Sequence, residues 1–418
     1  MTGFSKPLCA LLTIAALSLA ADDITDSRKL QQAGLTAYKN KDAGAFLRNI
    51  QAASALRPQH PTLLVQLAVA QASNGQHEAA LRTLERVAAM GFVFVPDDAE
   101  LEPVRALPAF AALARRLEAN ASAIGAPRKE LAVDRIGLIP EGLAYDAAGD
   151  RFFVGSVRTR TIFVVSKRAA AKPFATAPWG VFGMAVDAKR GVLWATTTAL
   201  PQMEGFVKEE EGKAALLKID LRGGAVLATI PAPAGGPHHF GDVAVTADGE
   251  VFVSDSRAPV IYRVAGNAVE PFVTGGFSNL QGIAPAGRIL YVSDYSRGLM
   301  AVDRVTRDVH WLRVPETASL LGVDGLYRAS DGSLLATQNG TDPNRIIRIR
   351  LAPGGLAVSS VETLASHAPG MADPTLGVVA RNRFWFNANG QWDLFGDDGK
   401  IADPLRLSEA LVLSVPVD

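Results

Sequence analysis

The 418-residue chain has one cysteine, Cys9. It lies in an N-terminal stretch that reads as removable, so the mature protein is expected to carry no thiol, no disulfide and no cysteine–zinc centre. There is no excess of charge either, since 42 Lys+Arg balance 42 Asp+Glu. With no basic stripe to follow phosphates, nucleic acid is excluded as an expected partner. After the N-terminus no segment approaches the roughly 20 apolar residues of a membrane-crossing helix. Also missing are a Gly-rich phosphate loop, an HExxH zinc motif and a GxSxG nucleophile elbow.

The chain begins MTGFSKPLCALLTIAALSLAADD, with one lysine, an apolar run from Leu8 to Leu19, and Ser18 and Ala20 placed for cleavage. Residues 1–20 therefore read as a secretory signal peptide, and the product is expected in the periplasm or outside the cell. Residues 22–119 have apolar positions at helical spacing and repeat every 34 residues. Gly34 recurs as Ala68, Asn40 as Asn74, Leu47 as Leu81, Arg48 as Arg82 and Ile50 as Leu84. This period resembles the tetratricopeptide repeat, in two units followed by a capping helix around Pro108 to Glu118. Such an array implies either a groove for a protein partner or a bracket for the neighbouring domain. Residues 120–130 have the small-residue and proline character of a linker, and the Asn120-Ala121-Ser122 sequon within them reads as accidental.

From 131 to 418 the texture changes to short strands broken by Gly and Asp turns. One unit recurs six times: EGLAYDAAGDRFFVGSV, FGMAVDAKRGVLWATTT, GDVAVTADGEVFVSDS, QGIAPAGRILYVSDYS, DGLYRASDGSLLATQNG and LGVVARNRFWFNANG. Spacings of about 40 to 60 residues suit four-stranded propeller blades, so the expected fold is mainly β, a six-bladed β-propeller behind an N-terminal α-helical domain. Either EALVLSVPV near the end or ELAVDRI near the start is expected to complete the sixth blade. In such a ring the first strand of each blade lies innermost. Its leading residue faces the axial channel at one mouth, so Glu141, Phe182, Gly241, Gln281, Asp324 and Leu376 are expected to converge. Carboxylates gathered there repel one another and lose hydration unless a cation sits between them. Calcium suits such oxygen donors, and Asp242 could add another oxygen or hold a ligand in place.

The blades, in particular PEGLAYD and VDGLYRASDG, resemble the gluconolactonase and regucalcin (senescence marker protein) family over roughly residues 131–418. The resemblance implies a divalent metal, often calcium, held by a Glu of the first blade, an Asn of the third, an Asn of the fourth and an Asp of the fifth. These fall on Glu141, Gly241, Gln281 and Asp324, so one side chain is lost and one amide is lengthened. The third-blade Asp that normally follows is kept as Asp242. The family implies hydrolysis of a lactone or small ester, with Asp324 as the catalytic base or nucleophile and Glu141, Gln281, Asp324 and Asp242 around the metal. GDVAVTADGEVFVSDS also resembles NHL-type repeats, which implies a non-catalytic propeller that binds a peptide, sugar or envelope partner.

Of the remaining candidates, His238 and His239 stand just before the third-blade slot, and either could reach the channel mouth. As neighbours in the chain, their side chains are expected to diverge. Asp255 and Asp294 recur after equivalent strands and are expected to cap turns, as are Asn339, Asn387 and Asn389. The five tryptophans are expected in cores and between blades.

Overall fold

The computed structural model describes residues 9–93, 99–166 and 169–417, with side-chain surroundings from residue 23 onward. Two compact units emerge: Met1–Ala121 with Gly275–Ser278 and Pro315–Ser319, and Ser122–Thr274 with Asn279–Val314 and Leu320–Asp418. In the first, helices Cys9–Lys39, Ala43–Leu56, Pro61–Ala72 and His77–Ala89 are followed by a short turn of helix and by Phe110–Ala121. The 34-residue period marks where these helices touch. A Cβ on Gly34 would lie 2.7 Å from the Ile50 side chain, and Ala68, Ile50 and Leu84 are all buried. Small residues at those points allow close approach of the helix axes. Asp42 caps its helix by accepting from the Ala45 N–H at 2.8 Å. The Asn120 amide donates to the Ala88 and Phe92 carbonyls, so it is committed to packing.

The expected signal segment falls partly outside the described residues. From Cys9 onward it is continuous with the first helix. No helix among the described residues is long and apolar enough to cross a membrane.

The second unit is a ring of six four-stranded antiparallel sheets. The first, innermost strands are Pro140–Asp146, Gly180–Asp187, Phe240–Val245, Leu280–Ala286, Val323–Arg328 and Gly377–Ala380. Both terminal segments serve in the sixth blade: Glu409–Pro416 is its third strand and Arg128–Ile136 its fourth. The 120–130 stretch is therefore strand from Arg128, and Ile124 bridges to Ser366. Faces of neighbouring blades meet in apolar layers. Phe152 of the first blade stacks on Trp385 of the sixth at 4.3 Å between centroids, amid Leu131, Leu143 and Val412. Each such ring buried contributes about 2–3 kcal/mol.

One local device positions the site. In the first five blades the innermost strand has a register shift at its head, across Pro140/Leu143, Val181/Met184, Phe240/Val243, Leu280/Ile283 and Val323/Leu326. An inserted residue bends a strand and re-aims its side chains. The bulged pairs read Glu-Gly, Phe-Gly, Gly-Asp, Gln-Gly and Asp-Gly. In the first, second and fourth blades the glycine lies hard against the next blade: a Cβ at Gly142 would come within 2.1 Å of the Phe182 carbonyl oxygen. The first member's own carbonyl is pinned by the preceding blade. Thr196 Oγ1 donates to Gly241 O at 3.2 Å, Ser293 Oγ to Asp324 O at 3.1 Å and Asn387 Nδ2 to Glu141 O at 2.7 Å.

Candidate functional site

The six strand heads Glu141, Phe182, Gly241, Gln281, Asp324 and Leu376 line one cavity of about 260 Å³, together with His239, Asp242, Asn279, Tyr295, Asn339 and Trp392. No lysine or arginine is among these lining residues. Glu141 is buried, and Trp392 Nε1 donates to its Oε1 at 2.5 Å. Burial, and next the Asp324 charge, push its carboxyl well above the usual range, while the Trp392 bond pulls the other way. Asp324 is half-buried, and Asn339 Nδ2 donates to its Oδ2 at 2.9 Å. Burial raises it to about 6 against that bond, with the Asp373 charge adding to the rise. Asp373, raised chiefly by its own burial, accepts from the Trp392 backbone N–H.

Asp242 is held differently. Its Oδ1 accepts from the Val243 N–H at 2.8 Å and its Oδ2 from the Ile283 N–H at 3.2 Å. It thereby ties the third blade to the fourth. Burial raises it to about 7 despite both bonds. Each oxygen accepts one backbone N–H, and these bonds fix the carboxylate in the wall of the cavity.

Gly241 contributes no side chain. Gln281 Nε2 donates to Asn279 Oδ1 at 2.7 Å, and a Cβ placed on Gly241 would lie 3.3 Å from Gln281 Oε1. The longer fourth-blade amide thus leans its oxygen over the space that the third blade leaves open. Among the described residues no three Asp, Glu or His side chains form a ready-made metal cluster. The four residues expected around a metal, Glu141, Gln281, Asp324 and Asp242, all line this cavity.

The adjacent histidines diverge. His239 enters the cavity edge-on to Phe182, 4.5 Å between centroids, and burial lowers it to about 4, so it is neutral there. His238 turns away, its Nδ1 bonded to Asp255 Oδ2 at 2.6 Å and its Nε2 to Pro233 O at 2.9 Å. Asp255 also accepts from the N–H groups of His239, Arg257 and Ala258. Asp294 does the same for Asn279 and Ser296. Both acids cap turns, as their repetition implied.

Two expectations are corrected, and the first covers Asn387 as well, whose Nδ2 donates to the Glu141 and Gly142 carbonyls of the first blade where a turn cap was expected. Asn339 is a site residue, bonded to Asp324 and accepting from Tyr295 Oη at 3.1 Å. Trp392 likewise belongs to the site, through its bond to Glu141, while Trp194 and Trp385 are buried in cores as expected. Tyr295 and Asn279 also escaped the sequence reading. Their signal was topological. The antiparallel registers Leu280↔Asp294 and Val323↔Gln338 bring the end of each second strand beside the head of the first. Tyr295 and Asn339 follow directly.

In sequence, no family model and no curated protein matches the chain. Solved structures similar in fold include a gluconolactonase from Xanthomonas campestris, 15% identical over 71% of this chain and 97% of that one, TM-score 0.47. Another is a calcium-binding regucalcin from Agrobacterium tumefaciens, 15% identical over 70% and 95%, TM-score 0.49. A third is virginiamycin B lyase from Staphylococcus aureus, 13% identical over 68% and 87%, TM-score 0.44. The chain is a six-bladed β-propeller with an N-terminal helical part, and gluconolactonases and a regucalcin are among the structures it resembles in fold.

Proposed function

We propose that the protein is an exported, metal-dependent hydrolase that opens a lactone or small ester in the 260 Å³ cavity. The observation that carries this reading is a pair of acids facing one cavity, buried Glu141 and half-buried Asp324, both raised by burial and Glu141 further by the Asp324 charge, with no lysine or arginine lining the cavity. Two carboxylates, an amide oxygen and room for water suit a hard divalent cation, calcium above all. When bound, such an ion supplies Lewis-acid polarisation of a carbonyl oxygen.

The chain's own residues account for the rest. Asn339 fixes one Asp324 oxygen and leaves the other to accept a proton from an attacking water. Water's oxygen bonds to the carbonyl carbon, the ring or ester C–O bond breaks, and the proton returns from Asp324 to the departing alkoxide. Trp392 orients Glu141 through its indole N–H, and Phe182 and Leu376 give the cavity its apolar wall.

The test is a thermal melt with calcium and with chelator, followed by a panel of lactones and esters. Calcium-dependent stabilisation, and hydrolysis lost on chelation, is the expected result. Identical melts in both conditions would remove the hydrolase reading. Gly241 favours a second one, since it deprives the cavity of a side chain where a further oxygen donor would stand. In that reading the propeller is non-catalytic and holds a peptide, sugar or envelope partner, with the tetratricopeptide-like helices as a second docking surface.

A further inference from the structure

The channel has a second chamber that the hydrolytic reading does not use. It has a volume of about 540 Å³, and all six innermost strands line it, through residues such as Leu143, Met184, Val243, Ile283, Leu326 and Val378. Asp242 lines both this chamber and the smaller cavity, so it stands at the boundary between them. The walls along the strands are largely aliphatic, with Tyr145 and Tyr327 among them, and Thr246, Asp248, Arg304 and Arg328 also line the chamber.

The charges sort by place. Arg304 is occupied, its Nη1 bonded to Asp248 at 3.1 Å and Glu250 at 2.6 Å. Arg328 is exposed, where water and salt screen it. Asp242 is 5% exposed, and the Val243 and Ile283 N–H groups that cradle its carboxylate hold its place. A bare metal ion entering here would lose its water among hydrocarbon walls that offer few oxygens in exchange. An ammonium group on an apolar body would meet the carboxylate with its N–H donors and bury its hydrocarbon against the strands.

We propose that this chamber is a binding site for organic amines, with the ammonium at Asp242 and the hydrocarbon along the innermost strands. Apolar walls with a few placed polar groups are the usual build of a small-molecule site.

The test is calorimetric titration of the full chain with n-hexylamine, hexan-1-ol and hexanoate. The amine is expected to bind saturably, and about tenfold or more tighter than the alcohol or the acid, the difference a charge-assisted hydrogen bond supplies. Asp242→Asn should weaken the amine about tenfold. Ala247→Trp, at an exposed lining residue of the chamber, should weaken it by a similar factor. Glu141→Gln, in the other cavity, should change it by less than about threefold. Equal binding of amine and alcohol would overturn the proposal. So would loss of binding in Glu141→Gln with Ala247→Trp unaffected, because the amine would then sit at the wrong mouth. If Asp242→Asn does not fold, the amine-to-alcohol ratio and the Ala247→Trp variant decide. None of these readouts depends on hydrolysis.

Discussion

The heads of the third and fifth blades carry the same two residue types in opposite order, Gly241-Asp242 and Asp324-Gly325. Both pairs sit on a bulge of the innermost strand. In the fifth blade the carboxylate takes the first position and faces the cavity, held by a side-chain amide from Asn339. In the third it takes the second position, where other blades have glycine, and reaches two backbone N–H groups on two blades. The order of two residues therefore decides whether an acid is held by a side-chain amide at the cavity or is cradled by backbone N–H groups of two blades.

Asp324→Asn is expected to break the comparison most sharply. It should abolish calcium-dependent stabilisation and lower any lactone hydrolysis by about 10²–10⁴-fold, the usual contribution of a general base. Glu141→Gln should likewise remove the calcium effect in a melting assay.

Next comes pH. Asp242 and Asp324 titrate in the fold at about 7 and about 6, against ordinary values of 3.8, and Glu141 is raised as well. The folded chain therefore holds protons that the unfolded chain has lost. The stability from this source is complete below about pH 4 and is lost as pH rises through about 6 and 7. Calcium-free melting temperatures should fall over that window, and added calcium should recover more at the upper end than at the lower. A melting temperature that rises steadily across the window in chelator would contradict these assignments.

Asp242→Ala tests the structural half of the comparison. It leaves two buried N–H groups without their acceptor and should cost about 2–4 kcal/mol in denaturant unfolding, more than Asp242→Asn, which keeps an acceptor oxygen. The smallest contrast lies between two glycines. Gly142→Ala drives a Cβ into the Phe182 carbonyl oxygen at 2.1 Å, and overpacking of this kind should cost about 2–3 kcal/mol. At Gly241 the same methyl meets only the end of Gln281 at 3.3 Å, so Gly241→Ala should stay within about 1 kcal/mol of wild type.

The sequence disclosed the ring because each blade repeats an apolar strand behind a turn, and a repeat survives even where its leading residue changes. For the same reason all six cavity-facing heads are legible in the sequence. The residues that tune the acids were harder to see. Asn339 and Tyr295 lie after second strands, where their repeated neighbours do cap turns, and only the antiparallel register shows that these positions share the cavity. Trp392 lies beyond any strand, in a short turn of helix after the sixth blade's second strand, so no periodicity marks it. The two histidines illustrate the middle case. Their divergence followed from adjacency, but which of them faced inward depended on Asp255 claiming His238.

The sixth blade is assembled from strands at opposite ends of the propeller sequence, with Arg128 opposite Ser414 and Val133 opposite Ala410. Ring closure thus waits on the pairing of Arg128–Ile136 with Glu409–Pro416, and contacts so distant in sequence slow the search for the native state. Until residues 409–416 dock, the first and sixth blades each present an uncovered apolar face and an open sheet edge, a form prone to joining its like. Synthesis order, as much as composition, sets how long this chain stays vulnerable.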